Sequence, residues 1–87
     1  MSAPEKLRLA CGHDVPHEVG ERVYNYYDYE RGTIERLATR AEPDTSGLLP
    51  NGEAWWVDVR MDDGNLVGLD GSRMTCMDCA IAKGWLT

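Results

Sequence analysis

The sequence predicts a small, mainly β domain: a partly open barrel of about five strands with one short helix near the C-terminus. Short runs of β-branched and aromatic residues alternate with turns rich in Gly, Asp and Asn, a pattern typical of antiparallel strands. Only one stretch, near the C-terminus, suits a helix. The length of 87 residues fits one domain, so residues 1–87 are expected to form a single unit.

The predicted strands are short and are bounded by residues that favour turns. The clearest strand is 54–61, where Trp55 begins a regular alternation of apolar and polar residues. The tetrapeptide Asp-Asp-Gly-Asn at 62–65 follows it and predicts a hairpin turn. The segment 14–20 contains Pro and Gly and is predicted to be an irregular connection. The five predicted strands are 7–10, 21–27, 33–40, 54–61 and 66–69.

Three further features interrupt or end this strand pattern. Ile34 and Leu37 fall on opposite faces of the same predicted strand, which indicates a β-bulge or a strong bend there. The segment 41–53 is rich in Pro, Gly, Asn and Asp, and we expect a long, mobile loop there. Residues 75–83 suit a short helix, and Gly84 is placed to end it.

The charge balance disfavours several kinds of partner. The chain has 15 acidic and 9 basic residues, a formal net charge of -6, which opposes non-specific attraction to nucleic acid or to an anionic membrane. No apolar run approaches the roughly 20 residues of a membrane span. Residues 1–8 lack the apolar segment of a signal peptide. We therefore expect a cytoplasmic protein that does not enter a membrane.

The cysteine content predicts a metal site. A chain this short has a marginal core and often needs a staple, and this one contains no Phe. Three cysteines cannot pair evenly as disulfides, so metal ligation is the better interpretation. Two chelating pairs stand far apart, Cys-Gly-His at 11–13 and Cys-x-x-Cys at 76–79. The sequence thus predicts one structural Zn²⁺ ion, bound by Cys11, His13, Cys76 and Cys79.

The fourth ligand of this site and the role of its two C-terminal cysteines each have an alternative interpretation. His17 competes with His13 for the fourth position, but Cys-Gly-His is the more compact pair and Pro16 restrains the chain before His17. Cys76 and Cys79 could instead form a redox pair, although no βαβ unit surrounds them. The sequence also lacks a Ser–His–Asp motif, and we expect that the protein is not an enzyme.

The middle of the chain resembles small SH3-like barrels of the KOW and Tudor kind. The resemblance covers roughly residues 19–69 and is carried by VGERVY at 19–24, RGTIERL at 31–37 and WVDV at 56–59. Such barrels often open with a Gly-acidic-x-Val strand that a Gly-Thr-Ile strand follows. The two cysteine-containing ends are similar to a split zinc ribbon or knuckle. The resemblance implies binding to a peptide or to nucleic acid rather than catalysis.

Aromatic residues are the candidates for partner binding. Neighbours in a strand point to opposite faces, so Trp55 and Trp56 cannot share one core, and the same holds for Tyr26 and Tyr27. Exposed Tyr and Trp are typical interface anchors. We therefore expect a non-catalytic interaction module that binds a protein partner. The predicted partner-binding residues are Tyr27, Tyr29 and Trp56.

Three alternatives to this hypothesis remain open. The loop 41–53 or the segment with Trp85 could cover the aromatic residues as a second small core. Alternatively, Arg31, Arg36 and Arg60 could form a basic strip beside the aromatic residues and bind single-stranded nucleic acid, although acidic residues are interleaved with them. In the third case the chain is a homodimer that buries its own aromatic face.

Overall fold

The computed structural model describes residues 3–85, which form nine short strands, one helix and two 3₁₀ turns. The 3₁₀ turns are Pro50–Gly52 and Gly71–Arg73. The strands and the helix, in chain order, are β1 (Lys6–Arg8), β2 (Asp14–Pro16), β3 (Arg22–Asn25), β4 (Glu30–Leu37), β5 (Glu42–Pro43), β6 (Glu53–Ala54), β7 (Val57–Met61), β8 (Leu66–Leu69), β9 (Met74–Thr75) and α1 (Met77–Ala82).

Five of the strands form one antiparallel sheet in the order β8-β7-β4-β3-β9. The sheet curls into a half-barrel, and α1 follows its last strand. The prediction of a mainly β, partly open barrel of about five strands with a short C-terminal helix is therefore confirmed. Two smaller antiparallel ladders, β1–β2 and β5–β6, lie outside the main sheet.

The core lies on one face of the sheet and follows the alternation of β7. Val57, Val59 and Met61 are buried, whereas Arg60 between them is exposed. Leu7 of β1 and Val15 of β2 lie opposite each other and join the same hydrophobic cluster. The β1–β2 hairpin therefore packs onto the half-barrel, and its turn carries the first cysteine-histidine pair.

The long strand β4 contains the predicted irregularity and one very close backbone approach. Its register against β7 shifts between Ile34 and Arg36, which confirms the expected bulge. A side chain at Gly32 would collide with Val59 and would approach the sulfur of Met61 to 2.9 Å. Only glycine lets β4 and β7 pack this closely.

Several segments differ in detail from the expectation. The strand predicted at 7–10 is β1, which belongs to the β1–β2 ladder, so that the fifth strand of the main sheet is β9 instead. The strand predicted at 33–40 lies three residues earlier, as β4. The prediction of an irregular connection at 14–20 is wrong for its first three residues, because Asp14–Pro16 forms strand β2. A strand of three residues is too short to be detected by the alternation of apolar and polar residues. The segment 41–53 is tied by the β5–β6 ladder and by the Asp44 carboxylate, which accepts hydrogen bonds from the backbone of Ser46 and Leu49. Its mobility stays a prediction. Among residues 3–85, no helix is long and apolar enough to cross a membrane.

Candidate metal centre and aromatic surface

The first ligand pair lies in the tight turn between β1 and β2. Gly12 has a φ of 86°, a left-handed conformation that glycine adopts without strain, and it separates Cys11 from His13. The turn is closed by a hydrogen bond from the Leu9 N–H to the His13 carbonyl (2.9 Å). The neighbouring Ala10 N–H donates to the Met74 carbonyl in β9 (3.0 Å), which holds this turn against the C-terminal end of the sheet.

The second ligand pair lies at the start of α1. Cys76 is the N-cap residue, and its sulfur accepts a hydrogen bond from the Cys79 N–H at 3.4 Å. This first helical turn therefore brings the two sulfurs to the same side. Gly84 ends the helix with a φ of 76°, as the sequence indicates.

The four predicted ligands converge in one cluster. One ligand atom from each residue lies within 4.8 Å of all the others. The Cys11 and Cys76 sulfurs are 3.8 Å apart, and His13 Nδ1 lies 3.6 Å from the Cys76 sulfur and 3.1 Å from the Cys79 sulfur. All three cysteines are free thiols. Sulfur ligands about 2.3 Å from a tetrahedral ion are about 3.8 Å apart, so this cluster is close enough to bind a metal.

His17 lies away from the ligand cluster. Its side chain is buried, and its Nδ1 is 3.0 Å from the Pro4 carbonyl, to which it donates. Its ring packs edge-on against Trp55 at 6.1 Å between centroids. His17 therefore belongs to the packing of the β1–β2 hairpin, and His13 is the histidine of the cluster.

Without a metal ion the thiols of the cluster differ in acidity. Burial, the largest single influence, raises the pKa of the Cys11 thiol, but hydrogen bonds from Cys76 and His13 outweigh it and bring that pKa to about 7. A hydrogen bond with the Cys76 side chain is the main cause that raises the pKa of the Cys79 thiol to about 11. The cluster is accessible, because His13 is exposed and the cysteines are half-buried.

A second feature is an aromatic group at the β3–β4 turn, which we call the tyrosine surface: Tyr26, Tyr27, Tyr29 and Trp85. Tyr27 and Tyr29 expose 61% and 69% of their surface. The rings pack on one another, with centroids of Tyr26 and Tyr27 at 4.7 Å and Trp85 at 6.1 Å from Tyr26 and 6.5 Å from Tyr29. Trp85 also stacks on the buried Tyr24 at 5.8 Å, which anchors the group to the core.

Trp56 is half-buried rather than fully exposed, while its neighbour Trp55 is buried on the opposite face. The Arg73 guanidinium lies 4.9 Å from the centre of the Trp56 ring, a cation–π contact. Next to it, the Ser72 carbonyl accepts a hydrogen bond from the Tyr26 hydroxyl at 2.7 Å. The 3₁₀ turn thus joins Trp56 to the tyrosine surface, a connection that no sequence pattern signalled.

The three arginines of the predicted basic strip are all paired with carboxylates. Their nitrogen-to-oxygen distances are 3.6 Å for Arg31, 3.8 Å for Arg36 and 2.9 Å for Arg60. The pairs lie on the surface and contribute little to stability. They do neutralise the strip, which weakens its attraction for phosphate. The partners, in the same order, are Asp62, Asp58 and Glu35.

Comparisons of this chain with protein-family models, with curated proteins and with solved structures found no match.

Proposed function

We propose that this chain is a non-catalytic interaction module, stabilised by one structural zinc ion, that binds a protein partner through the tyrosine surface and the adjoining Trp56. The observation that carries the proposal is the exposure of Tyr27 and Tyr29, which present two large rings to solvent. Monomeric proteins rarely leave contiguous apolar groups in water without a use for them. Tyr and Trp are also the residues most enriched among interface anchors.

Zinc is the ion that suits the donor set of the cluster. Three thiolate sulfurs and one imidazole nitrogen are soft to borderline ligands, which disfavours Mg²⁺ or Ca²⁺ and favours zinc. Four protein ligands complete a tetrahedron and leave no position for water, so the ion would have a structural role. It would join the β1–β2 turn to α1, because its ligands come from both elements.

The packing of the tyrosine surface suits it to rapid, specific docking. Its rings already contact one another, with Tyr26 tilted against Tyr27 and stacked on Trp85, and the Tyr26 hydroxyl donates a hydrogen bond to the Ser72 carbonyl. Rings that are ordered before binding lose less conformational entropy when a partner arrives. The metal contributes indirectly, because it fixes α1, and the residues that follow α1 carry Trp85.

A protein is favoured over nucleic acid as the partner. The net charge is -6, and Arg31, Arg36 and Arg60 each contact a carboxylate. A single strand would have to break these pairs in order to gain phosphate contacts. Binding that weakens steeply with salt would instead support the nucleic-acid hypothesis.

The test uses Tyr27 and a matched exposed residue. Val19 is also 61% exposed, so a benzophenone amino acid at position 27 or at position 19 probes two equally accessible sites. We expect light-induced crosslinks to a defined partner at position 27 and none to that partner at position 19. The partner is then purified, and its dissociation constant is measured for the wild-type chain and for Tyr27→Ala, Tyr29→Ala and Val19→Ala.

The two tyrosine variants should each weaken binding by about tenfold or more, as loss of an interface anchor does. Val19→Ala should bind as the wild type does, and all variants should keep their circular dichroism and zinc content. Equal affinity of the tyrosine variants and the wild type would contradict the proposal. So would a concentration-dependent dimer in sedimentation that buries Tyr27 against a second copy.

A further inference from the structure

Strand β8 (Leu66–Leu69) forms one edge of the five-stranded sheet, next to β7. Its sequence is Leu-Val-Gly-Leu, with no charge and no proline. Proteins usually protect an edge strand with Lys, Pro, a bulge or a covering element, because unpaired backbone groups there attract another strand. Among residues 3–85, no strand pairs with the outer side of β8. This edge is therefore open.

The register of the β7–β8 pair shows which backbone groups face outward. The Met61 N–H donates to the Asn65 carbonyl at 2.8 Å, which makes these two residues a hydrogen-bonded pair. Bonded and non-bonded pairs alternate along an antiparallel ladder, so Val67 and Leu69 bond to β7. Leu66 and Gly68 consequently direct both their N–H and their C=O groups away from the sheet. Within the described chain, no turn or loop backbone group bonds to them.

Side chains do not block access to this edge. Leu66 is 46% exposed, and Gly68 is exposed and has no side chain. A Cβ at Gly68 would meet only Asp58 Oδ1, at 3.8 Å. An incoming backbone can therefore reach the two free N–H and two free C=O groups without displacing any side chain.

The surroundings of the edge select the chemistry of the incoming strand. Arg36 contacts Oδ2 of Asp58, at 3.8 Å, whereas Oδ1 is the oxygen beside Gly68. A basic side chain opposite Gly68 would reach that carboxylate oxygen, and an apolar one opposite Leu66 would cover the exposed leucine. Between them, a β-branched residue would pack beside the partly buried Val67. A second copy fits poorly, since its own β8 carries no basic residue and both chains have a net charge of -6.

We propose that the free edge of β8 is a second docking site, which adds an extended segment of a partner protein as an antiparallel sixth strand. The segment carries the order basic, β-branched, apolar, placed opposite Gly68, Val67 and Leu66. Backbone hydrogen bonds supply affinity in this mode, and alternate side chains supply specificity. The site is independent of the tyrosine surface, because no residue of that surface takes part in it.

The test uses the capped peptide Ser-Thr-Lys-Val-Leu-Thr-Ser and amide NMR spectra of the zinc-loaded protein. In the free protein the Leu66 and Gly68 amides should exchange with solvent at least about tenfold faster than those of Val67 and Leu69. The peptide should shift the Leu66 and Gly68 amides saturably and slow their exchange. Lys→Glu in the peptide should weaken binding by about two- to fivefold.

Backbone methylation provides the matched control. N-methylation of the peptide Lys and Leu amides, which face β8, should abolish binding, whereas N-methylation of the Val amide, which faces away, should not. In the protein, Leu66→Lys should repel the peptide, and Leu48→Lys, at a site 56% exposed outside the sheet, should not. The proposal is overturned if millimolar peptide leaves the Leu66 and Gly68 amides unshifted. It is also overturned if the shifts centre on the tyrosine surface, or if these amides are protected by self-association of the free chain.

Discussion

Removal of the metal should cost the protein a large part of its free energy of unfolding. The predicted ligands Cys11 and Cys76 are 65 residues apart, so a bound ion would close most of the chain into a loop. Treated as a cross-link over 65 residues, this closure lowers the entropy of the unfolded chain by an amount equivalent to about 4 kcal/mol at 25 °C. A domain of this length has a typical total of about 4–13 kcal/mol.

The measurement is urea unfolding followed by tryptophan fluorescence, with equimolar zinc and with excess chelator. If the free energy of unfolding falls by about 1 kcal/mol per molar urea, a loss of about 4 kcal/mol lowers the urea concentration at the midpoint of unfolding by about 4 M, or unfolds the protein without urea.

Cys79→Ser supplies the control for this experiment. If the chelator acts only through the metal, it should lower the midpoint of Cys79→Ser much less than that of the wild type, since both changes remove the same interaction. A structural role for the metal is refuted if wild-type protein has the same midpoint of unfolding with and without the chelator. It is also refuted if the chelator lowers the midpoints of both proteins equally.

Three further predictions concern packing, alkaline stability and metal affinity. Gly32→Ala should lower the free energy of unfolding by about 1–3 kcal/mol, because its methyl group collides with β7. Gly68→Ala is the control, since there is room for its methyl group, and its free energy of unfolding should stay within about 1 kcal/mol of the wild type in the same urea experiment. Burial raises the pKa of Tyr26 to about 12, so the contribution of Tyr26 to the free energy of unfolding is complete below about pH 10 and is lost as pH rises towards 12. Tyr26→Phe should flatten the decrease of the free energy of unfolding with pH in this range. The same decrease in the variant and the wild type would exclude Tyr26 as its source. Because the Cys76 thiol raises the pKa of Cys79 to about 11, zinc must displace a proton from Cys79 when it binds. The affinity for zinc, measured by competition with a chelator, should therefore rise about tenfold or more per pH unit between pH 7 and 9. A zinc affinity that does not depend on pH would contradict this.

Local patterns were sufficient for the features that depend on local chemistry. The alternation after Trp55 predicted β7, and the mismatch between Ile34 and Leu37 predicted the bulge. The Cys-Gly-His and Cys-x-x-Cys spacings predicted the ligand cluster, because each pair is formed within a single tight turn.

Features that depend on long-range packing could not be predicted in this way. Strand β2 exists because Val15 is buried opposite Leu7, and a three-residue strand has no detectable period. Trp56 is half-buried and is in contact with Arg73, which is 17 positions away in the chain. The basic strip predicted from arginine positions is neutralised by carboxylates on the neighbouring strand and, for Arg31, in the turn after β7, which only the register reveals.

We expect one zinc ion, held by the Cys/His cluster, to join the two ends of this domain. Native mass spectrometry of the purified protein, before and after a strong chelator, tests it most directly. The expected result is one zinc ion per chain, and a shift to the higher charge states of an unfolded chain when the ion is removed. A folded, metal-free protein with a narrow charge-state distribution would contradict it and would return Cys76 and Cys79 to consideration as a redox pair.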